Sequence, residues 1–228
     1  MDIFKRQWPM FTDKEKKEIR NMKVFVAGAG GLGTHQMVQL QRIGVKRIHV
    51  IDCDVVEASN LNRQILYGKN DIGRSKVAVS GEKLDEFSLE TEVNTIEGEI
   101  TEELEIPREI DVILDALDNY PTRLVLDRLA HRYDKPLVHG AVDSWHGQLT
   151  SIVPGETPAL EDIVGPEAAK SNDGNEGPIP VFSPVVSSVA VLQVLEAVKL
   201  HLGRDNTLAG RLLFLDWKNY TLDKIDLR

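Results

Sequence analysis

Lys23-Val24-Phe25-Val26-Ala27-Gly28-Ala29-Gly30-Gly31-Leu32-Gly33 is the stretch whose reading decides the fold. Lys23 to Ala27 is a short run of β-branched and aromatic residues, the composition of a strand. Gly28 to Gly33 has the G-x-G-x-x-G spacing, in which glycines let the backbone turn tightly, approach a phosphate closely and pack a helix on the strand. Thr34 to Ile43 then reads as a helix stopped at Gly44, and Arg47 to Ile51 as a second strand ending at Asp52. This order is a βαβ unit, which demands a right-handed crossover and a parallel sheet. The free N–H groups and partial positive charge at the start of its helix suit an anion.

Outward from this unit the alternation continues. Thr12 to Asn21 reads as a surface helix with Thr12 as cap and Glu15 three residues later. Ser75 to Phe87 looks helical, Glu92 to Glu97 extended, Val112 to Ala116 a buried strand, Pro121 to Tyr133 a helix and Pro136 to Gly140 a strand. Gly147 to Val153 and Arg211 to Trp217 then alternate as antiparallel strands, the second pairing with Tyr220 to Leu227. Pro154 to Pro180 is too long and too rich in Pro, Gly, Asn and Asp for an ordinary connection, and is expected to be a mobile loop. Ser183 with Pro184 starts a core helix over Val185 to Leu202. The expected fold is Rossmann-like α/β in three layers, a parallel sheet extended by C-terminal antiparallel strands. It forms one domain over 1–228, with 1–22 as an N-terminal arm and helix.

Composition narrows the function. At 228 residues and 42% apolar, the chain can bury one sizeable core. Its formal charge of -9 argues against a nucleic-acid backbone as main partner. Cys53 is the single cysteine, so neither an intramolecular disulfide nor a paired-cysteine zinc site is expected, which suits a cytoplasmic protein. Met1 to Phe11 lacks the apolar run of a signal peptide, and no window is expected to reach the ~20 apolar residues of a spanning helix.

Asp52 stands where an acid commonly binds the ribose hydroxyls of an adenine nucleotide, a geometry that NAD, FAD and ATP all satisfy. A nicotinamide or flavin oxidoreductase explains Gly28 to Asp52 but leaves the next residues without a role. These are Asp52-Cys53-Asp54, Ser59-Asn60-Leu61-Asn62-Arg63-Gln64, Gly73-Arg74-Ser75-Lys76 and, farther on, Asp115-Ala116-Leu117-Asp118-Asn119.

In order and approximate spacing these motifs resemble the ATP site of the ThiF/MoeB/HesA adenylyltransferases, in the ubiquitin-activating enzyme superfamily, over nearly the whole chain. The resemblance implies adenylation of a C-terminal carboxylate, that of a Gly-Gly-tailed ubiquitin-like sulfur-carrier protein, by Mg²⁺ and ATP. It implies that Asp52 binds ribose, that Arg63 and Lys76 hold the triphosphate with Asn60 beside it, and that Asp118 helps hold Mg²⁺ with Asp54 nearby. Gly28, Gly30, Gly31, Gly33, Gln64 and Asn119 complete the nucleotide's surroundings. Arg6-Gln7 resembles the family's N-terminal pair, whose arginine reaches the nucleotide of a partner subunit, which implies a homodimer. The charges agree with this: cations neutralise the α-phosphate and the leaving pyrophosphate, and carboxylates beside phosphates need a metal.

Plainer readings stand beside these. Asp118-Asn119 can cap the helix beginning near Pro121, Lys76 can be a solvated helix residue, Arg63 a surface ion-pair partner and Arg6 part of a disordered arm. A non-catalytic scaffold of the same fold is the remaining alternative. The sequence also departs from the family. Cys53 reads as a small buried hydrophobe rather than a nucleophile, and the long loop, where the family carries a transfer cysteine, has Ser171, Asn172 and Asp173 but no thiol. The paired zinc cysteines are missing as well, so the reaction is expected to stop at an acyl-adenylate that another nucleophile attacks. His139 and His146, without a nearby carboxylate pair, read as structural or substrate-facing rather than metal-binding, and Trp145 or Phe182 are candidates for lining the tail's channel.

Overall fold

A computed structural model describes residues 3–87, 89–165 and 179–227. Eight strands form one sheet in the order β3-β2-β1-β4-β5-β6-β7-β8. β1 (Lys23–Ala27), β2 (Arg47–Asp52), β3 (Glu92–Glu97), β4 (Val112–Asp115) and β5 (Leu137–Asp143) pair in parallel. β6 (His146–Ile152), β7 (Arg211–Asp216) and β8 (Thr221–Asp226) continue the sheet antiparallel from β5. The expected Rossmann-like sheet with its antiparallel extension is therefore the observed one.

The parallel strands are buried on both faces, which is why they read as continuous apolar runs. Alternate residues serve two cores. Val24, Val26, Val112, Leu114 and Val138 face α2 (Gly31–Ile43), α3 (Lys76–Glu86) and α6 (Ser183–His201); Phe25, Ala27, Ile113 and Leu137 face α4 (Tyr120–Arg132) and α5 (Leu160–Val164).

Local chemistry sets the helix ends. Thr12 and Glu15 form a complete capping box on α1 (Asp13–Asn21). Gly44, in the left-handed region at φ 84°, stops α2, and Asn119 caps α4 by accepting from Thr122 N at 2.9 Å.

Several expectations are corrected. α2 begins at Gly31 rather than Thr34, because the glycine motif itself supplies the first helical turn. The long connection carries α5, held by Leu160 N–H donating to Asp127 Oδ2 at 3.0 Å. Ser171, Asn172 and Asp173, and with them the expected mobile part of that loop, lie outside the described residues. By length and composition α6 does reach the mark of a spanning helix, contrary to expectation. It is apolar around its circumference because it packs on α2, β4, β5 and β6 as a core helix.

Candidate functional site

Strand order reverses between β1 and β4, and the crevice outside their carboxyl ends is where an open α/β sheet binds its ligand. Gly28 follows β1 there, with φ 105°, and a Cβ on it would stand 2.7 Å from Ala116 O, just past β4. A Cβ on Gly33 would stand 2.0 Å from Gly28 O. These two glycines are fixed by the chain's own crossing. Gly30 differs, since its missing side chain leaves room: a Cβ there meets only Gln64 Nε2 at 3.7 Å, whereas one on Gly31 crowds Val186 Cγ1 at 3.0 Å and meets the Arg63 stem at 3.6 Å. Gly30 is also the N-cap of α2 and offers no capping side chain, so the first N–H groups of that helix point into the crevice without an acceptor.

The turn is stapled from outside. Ala29 N–H donates to Asp52 Oδ2 at 2.7 Å, and Asp54 N–H to Asp52 Oδ1 at 2.8 Å. The Tyr67 hydroxyl donates to Ala29 O at 2.7 Å and lies 2.9 Å from Ser80 Oγ and 3.2 Å from Lys76 O. Thr34 Oγ1 donates to Gly30 O at 2.9 Å. Burial pushes the Asp52 carboxyl above its ordinary value, against the pull of Lys76 and of those two N–H groups.

Asp54 and Lys76 are joined through an isolated bridge between Val55 and Ser75. Lys76 is buried with only 8% of its side chain exposed, not solvated, and its Nζ donates to Asp54 Oδ2 at 2.7 Å. Arg63 Nη1 donates to Ser59 O at 2.9 Å and to Asn62 Oδ1 at 3.0 Å rather than to a surface acid. Asn60 is buried and accepts from Glu57 N at 3.0 Å. Gln64 is 3% exposed; its Nε2 lies near Gly30, and its Oε1 has no hydrogen-bond partner. A buried amide oxygen without a partner leaves an acceptor that a polar molecule or water can satisfy.

Asp118 is exposed and accepts from Asn119 Nδ2 at 3.2 Å, while Asn119 alone caps α4. Among the described residues, the ligand-type side chains close enough to share one cation are Asp52, Cys53 and Asp54, within 4.8 Å of one another. The carboxylates suit a hard cation; the thiol does not. Among the described residues, Asp118 is not one of that group. Arg6 lies exposed in a turn whose neighbours dock at the far end of α2, where Gln7 Nε2 donates to Ile43 O at 2.8 Å. Its own glycine turn is at the opposite end of that helix.

Cys53 is exposed rather than buried, correcting the sequence reading, yet burial of its sulfur together with the Asp54 and Asp52 charges pushes the thiol above its ordinary value. That disfavours the thiolate a nucleophile needs. His139 does have a carboxylate partner: its Nδ1 lies 2.6 Å from Asp115 Oδ2, both side chains 1% exposed. His146 lies 3.8 Å from Asp216. The Trp145 and Phe182 rings meet at 4.9 Å between centroids, tilted by 53°, and are both 45% exposed. The residues that sequence reasoning missed are those holding the site from behind: Tyr67, Thr34, and Gln193, whose Nε2 donates to Asp115 O at 2.8 Å and Val138 O at 3.1 Å. For Tyr67 and Gln193 only long-range contacts give them away.

A protein-family model described as the ThiF family matches residues 4–228. The sulfur carrier protein adenylyltransferase of Thermus thermophilus is 33% identical over 240 residues, spanning 100% of this chain and 88% of that protein. Adenylyltransferase and sulfurtransferase MOCS3 of Culex quinquefasciatus is 33% identical over 216 residues, 92% of this chain and 49% of the relative; this chain spans about half its length. Among solved structures, E. coli MccB with ATP superposes with a TM-score of 0.80 at 21% identity, over 93% of this chain and 65% of that one, a likeness of fold.

Proposed function

This chain belongs to the ThiF family, and from that premise we propose that it adenylates the C-terminal carboxylate of a ubiquitin-like sulfur-carrier protein ending in Gly-Gly. The observation that carries the reading is the buried Lys76 ammonium, held by Asp54, near the glycine turn where Gly30 leaves room beside Gln64. The relative named as a sulfur carrier protein adenylyltransferase supports the substrate class. The chain would act as one adenylation domain over 1–228.

In this reading ATP lies with its ribose on Asp52 and its phosphates along the N-terminus of α2. A carboxylate oxygen attacks the α-phosphorus, the bond to the bridging oxygen breaks, and pyrophosphate leaves with the electron pair. No proton moves and no protein nucleophile is needed, so catalysis is positioning and charge stabilisation. Lys76 exchanges Asp54 for a phosphate oxygen, and Arg63, already lying over Gly31, turns its guanidinium from Ser59 O to the phosphates. Mg²⁺, when bound, supplies Lewis-acid charge to the phosphates. Asp118 and Asp54 would hold it, since Asp118 keeps lone pairs free and Asp54 is released when Lys76 turns to phosphate. A homodimer brings Arg6 of one copy to the nucleotide of the other.

Without a transfer cysteine, the product is the acyl-adenylate. Calorimetric titration with Mg·ATP and, separately, NAD tests this, with an Arg63→Ala, Lys76→Ala double variant as control. ATP binding that the double variant loses, followed by pyrophosphate exchange dependent on a Gly-Gly-tailed carrier, is the expected result. NAD binding in its place would move the assignment to an oxidoreductase, and silence to both nucleotides would leave a scaffold.

A further inference from the structure

Asp115, His139, Arg123 and Asp127 form a buried cluster between the sheet and α4, with exposures of 0, 1, 5 and 3%. Topology brings them together. β4 and β5 pair in parallel with Leu114 opposite Val138, so Asp115 and His139, the next residues, are neighbours on the α4 side. Arg123 and Asp127 lie one turn apart on the inner face of α4. Asp115 Oδ2 takes the His139 Nδ1 hydrogen bond and an ion pair with Arg123 Nε at 3.6 Å, and Asp115 Oδ1 accepts from Leu117 N at 3.0 Å. Arg123 Nη2 in turn donates to Leu117 O. Leu117 is thus gripped at both its N–H and its carbonyl, immediately before Asp118. Asp127 holds the start of α5 through Leu160 N.

Three buried atoms of this cluster have no hydrogen-bond partner: His139 Nε2, Arg123 Nε and Asp127 Oδ1. With Nδ1–H donating to Asp115, Nε2 is an acceptor; Arg123 Nε–H is a donor and Asp127 Oδ1 an acceptor. One donor and two acceptors are the complement of a single water molecule, which accepts once and donates twice, the usual coordination of internal water. His139, on the strand face beneath α4, and Asp127, on the inner face of α4, belong to the same buried layer between sheet and helix. His131 Nδ1 is the other titratable neighbour, 3.5 Å from Asp127 Oδ1, and Tyr120 closes the cluster with its ring 6.4 Å from that of His139 and 5.2 Å from the Arg123 guanidinium carbon.

We propose that His139 is a positioning residue: with Arg123 and Asp127 it holds one internal water beneath the Asp115–Asn119 segment, and through Asp115 and Leu117 this cluster fixes where Asp118 points. The kinetic part rests on the adenylation reading; the water does not. A high-resolution crystal structure of the wild-type protein is expected to show an ordered water within hydrogen-bond distance of His139 Nε2, Arg123 Nε and Asp127 Oδ1. A dry site, or His139 Nε2 bonded directly to Asp127, overturns the hydration site.

His139→Asn keeps a donor for Asp115 and removes the Nε2 acceptor. In pyrophosphate exchange it is expected to lower kcat about 10- to 100-fold with KM for ATP changed less than about twofold, since a displaced group costs rate rather than ground-state binding. A variant that melts earlier but keeps wild-type kcat per folded molecule overturns the positioning role. Absence of exchange in the wild type would instead sink the adenylation reading, with the crystallographic result still deciding the water.

Discussion

Lys76 meets Asp54 twice: its Nζ donates to Asp54 Oδ2 at 2.7 Å and its backbone N–H to Asp54 O at 3.0 Å. The two partners differ in surroundings, the lysine side chain being 8% exposed and the aspartate 63%. The ammonium is therefore drawn out of the core to the crevice by a carboxylate that water can reach. Exchange of that carboxylate for a phosphate oxygen needs no rearrangement of the lysine. Lys76→Met, which keeps the stem's packing, is expected to reduce pyrophosphate exchange by about 10²- to 10³-fold. The melting temperature should barely move, because Asp54 returns to solvent. Equal loss of fold and activity would count against this role.

The glycines predict two different outcomes. Gly33→Ala places a Cβ 2.0 Å from Gly28 O, backbone that cannot yield, and is expected to cost about 3 kcal/mol of stability in chemical denaturation. Gly30→Ala meets only an amide at 3.7 Å, at a φ of -86°, outside the left-handed region. Its fold should be intact while the calorimetric Kd for ATP weakens by about tenfold or more.

Burial holds His139 below its ordinary value of 6.5, despite the Asp115 hydrogen bond that favours the charged form. The folded protein then declines a proton that the unfolded chain accepts. Stability from this group is complete above 6.5 and declines as pH falls from there toward the folded value. His35 and His49, also lowered chiefly by burial, act in the same sense. Thermal melts between about pH 5 and 7.5 should show a shallower decline for His139→Asn than for the wild type.

Arg6 lies at the end of α2 remote from its own glycine turn. Neither Arg6→Ala nor Lys76→Met should support exchange alone. Mixed and allowed to reassort, they are expected to recover about a quarter of wild-type activity, from the one intact site of each mixed dimer. No recovery would mean that Arg6 does not act across subunits.

Chelation of Mg²⁺ should abolish exchange, with recovery on adding it back, and Asp118→Asn should raise the Mg²⁺ concentration required. An unchanged Mg²⁺ requirement would remove Asp118 from the metal.

The strands and α2 were legible because burial on both faces leaves apolar runs, and because the glycine spacing carries its own geometric reason. Asn119 as the cap of α4 was legible from its place just before Pro121. What stayed hidden depends on partners far along the chain. Lys76 is an ordinary lysine until Asp54, 22 positions away, meets it, and Asp115 is one acid in a motif until His139, 24 positions on, packs beside it. The reach of α6 was misjudged for a related reason: its scattered polar residues, Gln193 and Glu196, are themselves buried, with Gln193 bonded to the ends of β4 and β5.

The contact between Gly28 and Ala116 also sets a timetable for synthesis. The phosphate-facing turn emerges from the ribosome with β1, but the residue it closes upon follows 88 positions later (116 - 28). At roughly 5–20 residues per second, several seconds pass in which the turn after β1 exists without the neighbour that completes the crevice, while β2 and β3 are still being made. The crevice is thus complete only once β4 and Ala116 have been made, so it is a late product of synthesis although its glycine turn is an early one.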